Sequence, residues 1–148
     1  MRTRLAPIVI PAAFRFAAAR RFAFRTVSQT TINYCGGPLS RGTAGSIQGG
    51  DRLPWAPADG ADNFASLAYM DWQVHVYGEA SDGLTAWCAQ RNLSLNVFTW
   101  QRQYESVGLA RNALYLLRPD TYVALAGPSS SPDALDHYFK DIGMRLGP

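Results

Sequence analysis

Tyr115-Leu116-Leu117-Arg118-Pro119-Asp120-Thr121-Tyr122-Val123-Ala124 is the stretch whose reading decides the fold. Two short apolar runs flank an Arg-Pro-Asp-Thr segment, which predicts a β-hairpin with strands near 113–117 and 122–125. Pro119 pre-sets the backbone for the second position of a type I turn, and the Asp120 carboxylate is placed to fold back onto the main chain. Thr121 is β-branched. A positive φ is costly for such a residue, which argues against a type II or type I′ turn here.

Working outward, Trp72-Gln73-Val74-His75-Val76-Tyr77 alternates and reads as a strand. After a turn from Gly78 to Asp82, Ser81 or Asp82 is suited to cap a helix running to about Arg91, with Leu84, Trp87 and Cys88 as its apolar stripe. The stretch 93–100 is a second alternating strand, and 101–112 is a variable segment with room for a helical turn. Past the hairpin, Ser131 is placed as an N-cap, with Pro132 at the first helical position and Asp133 near the positive end of the helix dipole. Leu135, Tyr138, Phe139, Ile142 and Leu146 then form a core-facing stripe. Strand, helix, strand, connector, hairpin, helix is an α/β order: a βαβ unit with an antiparallel hairpin beside it and a closing helix. That is a thioredoxin-like plan.

Two further landmarks precede this body: Ile32-Asn33-Tyr34-Cys35-Gly36-Gly37-Pro38-Leu39-Ser40 and Gly50-Asp51-Arg52-Leu53-Pro54. With the hairpin, in this order, they resemble the C-terminal part of the phenol hydroxylase-like family of flavin-dependent aromatic hydroxylases. The resemblance runs from about residue 26 to the end. It is carried by Tyr34, Pro38, Leu39 and Ser40, by Gly50, Asp51, Arg52 and Pro54, and by Arg118, Pro119, Asp120 and Tyr122. The sequence departs from the family pattern at Cys35, where Arg is usual, at Gly37, where Ser is common, and at Thr121, which replaces the turn glycine. The resemblance implies a thioredoxin-like domain without a catalytic disulfide, in a structural and docking role. FAD and NAD(P)H are implied for the full-length family enzyme, an oxidoreductase acting on phenolic or polyketide rings. No cofactor is expected on this chain alone. The implied division is a lead-in that ends a flavin domain (1–34), a Gly/Pro-rich connector (35–62) and the thioredoxin-like domain (63–148).

The 148 residues suit one domain with a real core, and 47% hydrophobic with 17% charged residues is an ordinary globular composition. The net charge of +3 hides an asymmetry: residues 1–34 hold six arginines and no acid, and the rest holds eight basic against eleven acidic groups. Basic groups interleaved with aromatics are missing from the body, so nucleic acid is not an expected partner. No apolar run approaches the ~18 residues of a membrane span. Two cysteines make neither a disulfide framework nor a zinc spacing, and a reducing, cytoplasmic setting is expected.

The first residues admit three readings. From Pro11 onward, Phe14, Ala17, Ala18 and Phe22 share one helical face, with Arg15 and Arg20 largely off it. Such a helix suits docking on a flavin monooxygenase domain or self-association, and the resemblance favours that reading through Gln29-Thr30-Thr31-Ile32-Asn33-Tyr34. An Arg-rich, acid-free amphipathic segment is also the pattern of an organellar transit peptide or of a membrane-surface helix.

Catalytic chemistry is sparse. A redox-active thioredoxin-like site needs a cysteine pair where the first strand enters the first helix, where the helix end favours the thiolate. Gly78-Glu79-Ala80-Ser81 stands there instead. Cys88 reads as an inert core thiol and Cys35 as a loop thiol; their pairing stays open, as does a remote reading of Cys35 as the nucleophile of a divergent thiol oxidoreductase. His75 and His137 lack metal-ligand spacing. Ser40, Ser46 and Ser81 lack a nucleophile-elbow setting. Asp51 and Asp59 flank turns and suit backbone capping. Gly36-Gly37 and Gly49-Gly50 do not give Gly-x-Gly-x-x-Gly, so no dinucleotide loop is expected. No catalytic, cofactor or metal residue is assigned. A free-standing protein-binding adapter is the alternative to a hydroxylase module.

Overall fold

In the computed structural model, residues 33–58 and 61–147 are described, within one compact unit, Asn33–Pro148. The expected N-terminal helix and the lead-in through Ile32 lie outside the described residues. The chain forms β1 (Arg41–Ala44), β2 (Ile47–Gln48), β3 (Pro57–Ala58), β4 (Ala61–Asp62) and a 3₁₀ turn (Ala65–Tyr69). It continues with β5 (Gln73–Tyr77), α1 (Asp82–Gln90), β6 (Ser94–Phe98), α2 (Arg102–Ser106), β7 (Leu114–Leu117), β8 (Val123–Gly127) and α3 (Asp133–Asp141). Six strands make one sheet in the order β2-β1-β8-β7-β5-β6, with β3 and β4 as a separate pair.

The α/β expectation holds. The crossover through α1 sets β6 parallel to β5, and the hairpin β7–β8 lies antiparallel beside β5. Strands β5, β7 and β8 are buried along their whole lengths, so both faces of the sheet are covered. On one face Val74, Val76, Leu114 and Leu116 meet Leu84, Trp87 and Cys88 of α1 and Leu135, Tyr138 and Phe139 of α3. The stripes foreseen for both helices therefore face the sheet, and each fully buried leucine contributes about 1.5–3 kcal/mol relative to exposure. On the other face Tyr77, Tyr115 and Leu117 meet Tyr104 of α2, with Leu109, Ile47 and Leu53.

Ser81 caps α1 as expected, its hydroxyl accepting from Leu84 N at 3.1 Å. At α3 the regular helix begins at Asp133, and the predicted capping bond is in place. Pro132 is already helical at φ −67, ψ −23, while the Ser131 hydroxyl accepts from Asp133 N at 3.3 Å. The strands are shorter than their alternating runs, because β6 gives way before Thr99 and β7 begins at Leu114.

Two expectations are corrected. The Gly/Pro-rich stretch before residue 63 is more than a connector, since β1 pairs parallel with β8 and β2 adds a further antiparallel strand. Short polar strands such as Arg-Gly-Thr-Ala carry too little periodicity to be seen without their partner. Within the same stretch Leu53 packs into the core at 2% exposure, while Trp55 is 58% exposed.

The second correction concerns Thr121 alone, since the expected type I turn fits Pro119 and Asp120, neither of which has a positive φ. Thr121 N donates to Arg118 O at 2.9 Å, and Arg118 N donates to Tyr122 O at 2.9 Å, which closes a three-residue loop. The Asp120 carboxylate folds back toward Tyr122 N at 3.4 Å, as foreseen. Thr121 itself, however, has φ +73. A turn followed by a left-handed residue is the favoured three-residue hairpin loop. The ladder slips by one residue just beyond it, with Leu116 opposite Leu125 and Leu117 opposite Val123. Hairpin geometry thus overrides the threonine's own preference.

A buried polar chain runs along the second face of the sheet. Gln73, His75 and Tyr77 point the same way from β5. Asn63 Nδ2 donates to Tyr77 Oη at 3.0 Å and to Pro54 O at 2.9 Å, and Asn63 Oδ1 accepts from Ala56 N at 3.0 Å. The Tyr77 hydroxyl, 3.3 Å from His75 Nδ1, is then free to donate to it. His75 Nε2 lies 3.1 Å from Gln73 Oε1, which also accepts from Asn96 Nδ2 at 3.1 Å, and 3.0 Å from Ser66 Oγ. This set assigns a neutral imidazole protonated on Nε2. Burial pulls the His75 pKa down to about 3.

Replacing Thr121 with Gly removes a left-handed β-branched residue and is expected to stabilise the chain by about 1 kcal/mol, the strain relief exceeding the added unfolded-state entropy. Urea denaturation checks this; an unchanged or lower midpoint contradicts it. For His75, the folded pKa lies below the ordinary value of 6.5, so the unfolded chain binds the extra proton between them. The stability held by neutral His75 is full above pH 6.5 and falls as pH drops toward 3, with a slope of up to about 1.4 kcal/mol per pH unit. Denaturation midpoints from pH 7 to 4 should fall more steeply for the native chain than for His75→Gln. Parallel curves would contradict the assignment.

Candidate functional site

The residues that carry the family resemblance lie far apart in sequence, and the fold brings most of them to one place. The stretch Gly50–Leu53 runs along the start of β8. Gly50 N donates to Val123 O at 2.7 Å, Val123 N to Asp51 O at 2.8 Å, and Leu53 N to Thr121 O at 3.3 Å. Arg52 forms a bridge with Tyr122. The Tyr34 segment then closes over this strand, with Tyr34 N donating to Gly50 O at 2.8 Å.

Gly50 is required here for two reasons. Its φ is +102, and a Cβ would stand 2.3 Å from Tyr34 C and 2.4 Å from Cys35 N. Asp51 caps the turn by accepting from Gln48 N at 2.8 Å, the backbone-capping role expected of it. Asp59 lies outside the described residues. Ser40 donates its hydroxyl to Tyr34 O at 2.7 Å. Above them the Tyr34 and Tyr122 rings meet edge to face at 4.8 Å, and the Arg118 guanidinium lies 5.4 Å and 5.9 Å from their centroids. Arg118 also pairs with the Asp120 carboxylate. Leu39 O accepts from Tyr138 Oη at 2.9 Å, which ties the segment to α3, and Pro54 O accepts from Asn63. Pro38 is exposed and Pro119 half-buried, with no hydrogen-bonding role available to either ring.

The charged residues of this constellation are Asp51, which accepts from Gln48 N, Arg52, and the paired Arg118 and Asp120, and the Ser40 and Tyr138 hydroxyls donate to backbone carbonyls. Tyr138 belongs to it, and sequence reasoning placed that residue only in a core stripe. The polar end of a tyrosine within a helix stripe was the available signal.

The thiols are separate. Cys88 is buried in α1, where desolvation pushes its thiol up to about 11. Cys35 is exposed, and its Sγ lies 3.6 Å from Asp51 Oδ1. Local desolvation and the adjacent carboxylate raise its pKa, the opposite of what a thiolate nucleophile needs. Both cysteines are free, so the pairing left open by the sequence does not form.

Where β5 enters α1, the backbone is held by polar side chains. Glu79 N donates to Asn112 Oδ1 at 2.8 Å, and Ser81 exchanges hydrogen bonds with Ser130 through Oγ to O at 2.6 Å and N to Oγ at 3.2 Å. The glycine pairs approach the chain's own backbone: a Cβ at Gly49 would meet Arg41 N at 2.2 Å, as one at Gly50 meets Tyr34. His137 is exposed, with Nδ1 2.8 Å from Asp133 O, and His75 is spent in the buried chain. Among the described residues no group of three or more His, Cys, Asp or Glu could hold a metal. None of their helices is long and apolar enough to cross a membrane.

One surface concavity among the described residues, ≈ 570 Å³, is an open groove between α1 and the end of α3, lined by Trp87, Arg91, Asp136, Phe139 and Lys140. Arg91 stacks 4.2 Å over Trp87 and pairs with Asp136 at 3.3 Å, while Trp87 Nε1 donates to the same carboxylate at 2.9 Å. The polar groups of Trp87, Arg91 and Asp136 thus satisfy one another.

No protein-family model matches the sequence, and no curated protein is detectably similar to it. Among solved structures, OxyS anhydrotetracycline hydroxylase from Streptomyces rimosus aligns over 99% of this chain with a TM-score of 0.58 and 17% identity. RebC-10x, solved native and bound to K252c, aligns over 96% with a TM-score of 0.57 and 22% identity. The rebeccamycin biosynthetic enzyme RebC with reduced flavin aligns over 78% at a TM-score of 0.49 and 22% identity. The chain covers 29% of the OxyS and RebC-10x chains, so it spans less than a third of either. At these identities the likeness is one of fold, shared with one segment of each larger chain.

Proposed function

We propose that the chain is a non-catalytic, thioredoxin-like C-terminal module of an FAD-dependent, NAD(P)H-using monooxygenase of phenolic or polyketide rings, with a structural and docking role. The observation that carries this is the closure around Gly50: three separated motifs of the family resemblance form one continuous hydrogen-bonded unit. The thioredoxin-like plan is supported by the strand order β8-β7-β5-β6 with β7 antiparallel to its neighbours. The likeness to OxyS and RebC-10x over nearly the whole chain favours a hydroxylase context.

The non-catalytic part rests on how the side chains are used. The entry to α1 presents serine hydroxyls and an asparagine where a thiol pair would act, and Cys35 is held toward the thiol form. No described loop offers a pyrophosphate cradle, so FAD and NAD(P)H belong to the remainder of such an enzyme. Exposed Trp55, Tyr69 and Met70 supply apolar surface of the kind a docked module covers. The same reading keeps the chain in the cytoplasm.

The test has two arms. The purified chain should retain no FAD and should not oxidise NAD(P)H in the presence of phenolic substrates. Native material captured with an antibody to residues 60–148 should carry flavin absorbance. NAD(P)H oxidation by the chain alone, or flavin-free native material, would overturn the proposal.

A further inference from the structure

The sheet has two ends, and they differ. At one end β2 is only two residues long, Ile47–Gln48, which is a common way to limit edge pairing. At the other, β6 spans five residues and is paired on one side only. Natural sheets protect such an edge with lysine, proline or a bulge. None is present: Leu93-Ser94-Leu95-Asn96-Val97-Phe98-Thr99-Trp100 holds no charge and no proline, and the β5–β6 register runs unbroken from Ser94 to Phe98. Val97 is 49% exposed.

The free backbone groups can be assigned. Phe98 O accepts from Gly78 N at 2.8 Å, so the main-chain groups of Phe98 point toward β5. Strand geometry alternates with period two, so Asn96 and Ser94 point the same way. Leu95 and Val97 must then direct their N–H and C=O groups outward, and among the described residues nothing accepts or donates there.

We propose that β6 is a homodimer interface, pairing antiparallel with β6 of a second copy about a two-fold axis through Asn96. A two-fold contact must be self-complementary. In this register Leu95 stands opposite the second copy's Val97, Ser94 opposite Phe98, and Asn96 opposite Asn96. Leu95 and Val97 are the residues with outward-facing groups, so each such pair exchanges both of its hydrogen bonds, four in all. Their side chains lie on one face as apolar cross-strand neighbours, and no like charges meet. A strand edge carrying charge would favour a partner of opposite sign; this one suits its own copy. The result joins two six-stranded sheets into one of twelve.

Sedimentation of the full chain over a range of concentrations should show a monomer–dimer equilibrium. In amide exchange, Leu95 and Val97 should gain protection as concentration rises, while Asn96 and Phe98 stay protected throughout. Val97→Lys, whose own amide still points outward, should raise the dimer Kd about tenfold or more, at least ~1.4 kcal/mol. A chain that stays monomeric overturns the proposal. So does a dimer in which the Leu95 and Val97 amides exchange freely, since association then uses another surface such as residues 1–32. If Val97→Lys does not fold, exchange in the native chain decides alone.

Discussion

The main-chain pairing of Gly50–Leu53 with Thr121–Val123 is the constraint on which the rest of this domain depends. It joins segments about seventy residues apart and fixes both at once. Upstream, it holds the Tyr34 loop, because Tyr34 N has its acceptor on Gly50. Downstream, it braces the hairpin at the point where Thr121 takes a left-handed conformation that it would not choose alone. The backbone passes so close at Gly50 that a Cβ there has no space. Local strain at Thr121 is tolerated because the surrounding bonds over-determine it.

The two faces of the sheet are built differently, and the difference has a chemical logic. The face toward α1 and α3 is mainly aliphatic and aromatic packing. The opposite face carries three buried tyrosines and the Asn63–Tyr77–His75–Gln73 chain. Each buried donor and acceptor in that chain has a partner, and among the described residues no buried side-chain polar atom is left without one. A fully satisfied polar network specifies one arrangement, whereas a loose apolar face tolerates several. Asn63 reaches Pro54, Ala56 and Tyr77 and so pins the irregular segment before β5 to the sheet.

Much of this was legible in the sequence, and the limits are instructive. Helices α1 and α3, strand β5 and the hairpin each carry periodicity or capping residues that act locally: Ser81, the 84/87/88 stripe, the 135/138/139 stripe. The resemblance motifs were visible as words, but their meeting was not, because contact between positions 34, 50 and 122 is a property of topology. Strands β1 and β2 are not legible because they are only four and two residues long, carry no apolar alternation, and β1 joins the sheet through the distant β8. Gln73, His75 and Tyr77 were visible at period two, yet alternation alone does not say that both faces are buried. Thr121 departs from its residue preference because the three-residue hairpin loop demands a left-handed third residue.

The parallel pairing of β1 with β8 matches Arg41 with Leu125 and Gly42 with Ala126. Apart from its short pairing with β2, β1 has no partner until β8 is made, so nearly the whole domain must be synthesised before it joins the main sheet. During translation, β1 and β2 wait outside the main sheet while β5, α1, β6 and β7 emerge. The sheet closes only once the hairpin is complete, so the earliest-made part of this domain is the last to be locked in place.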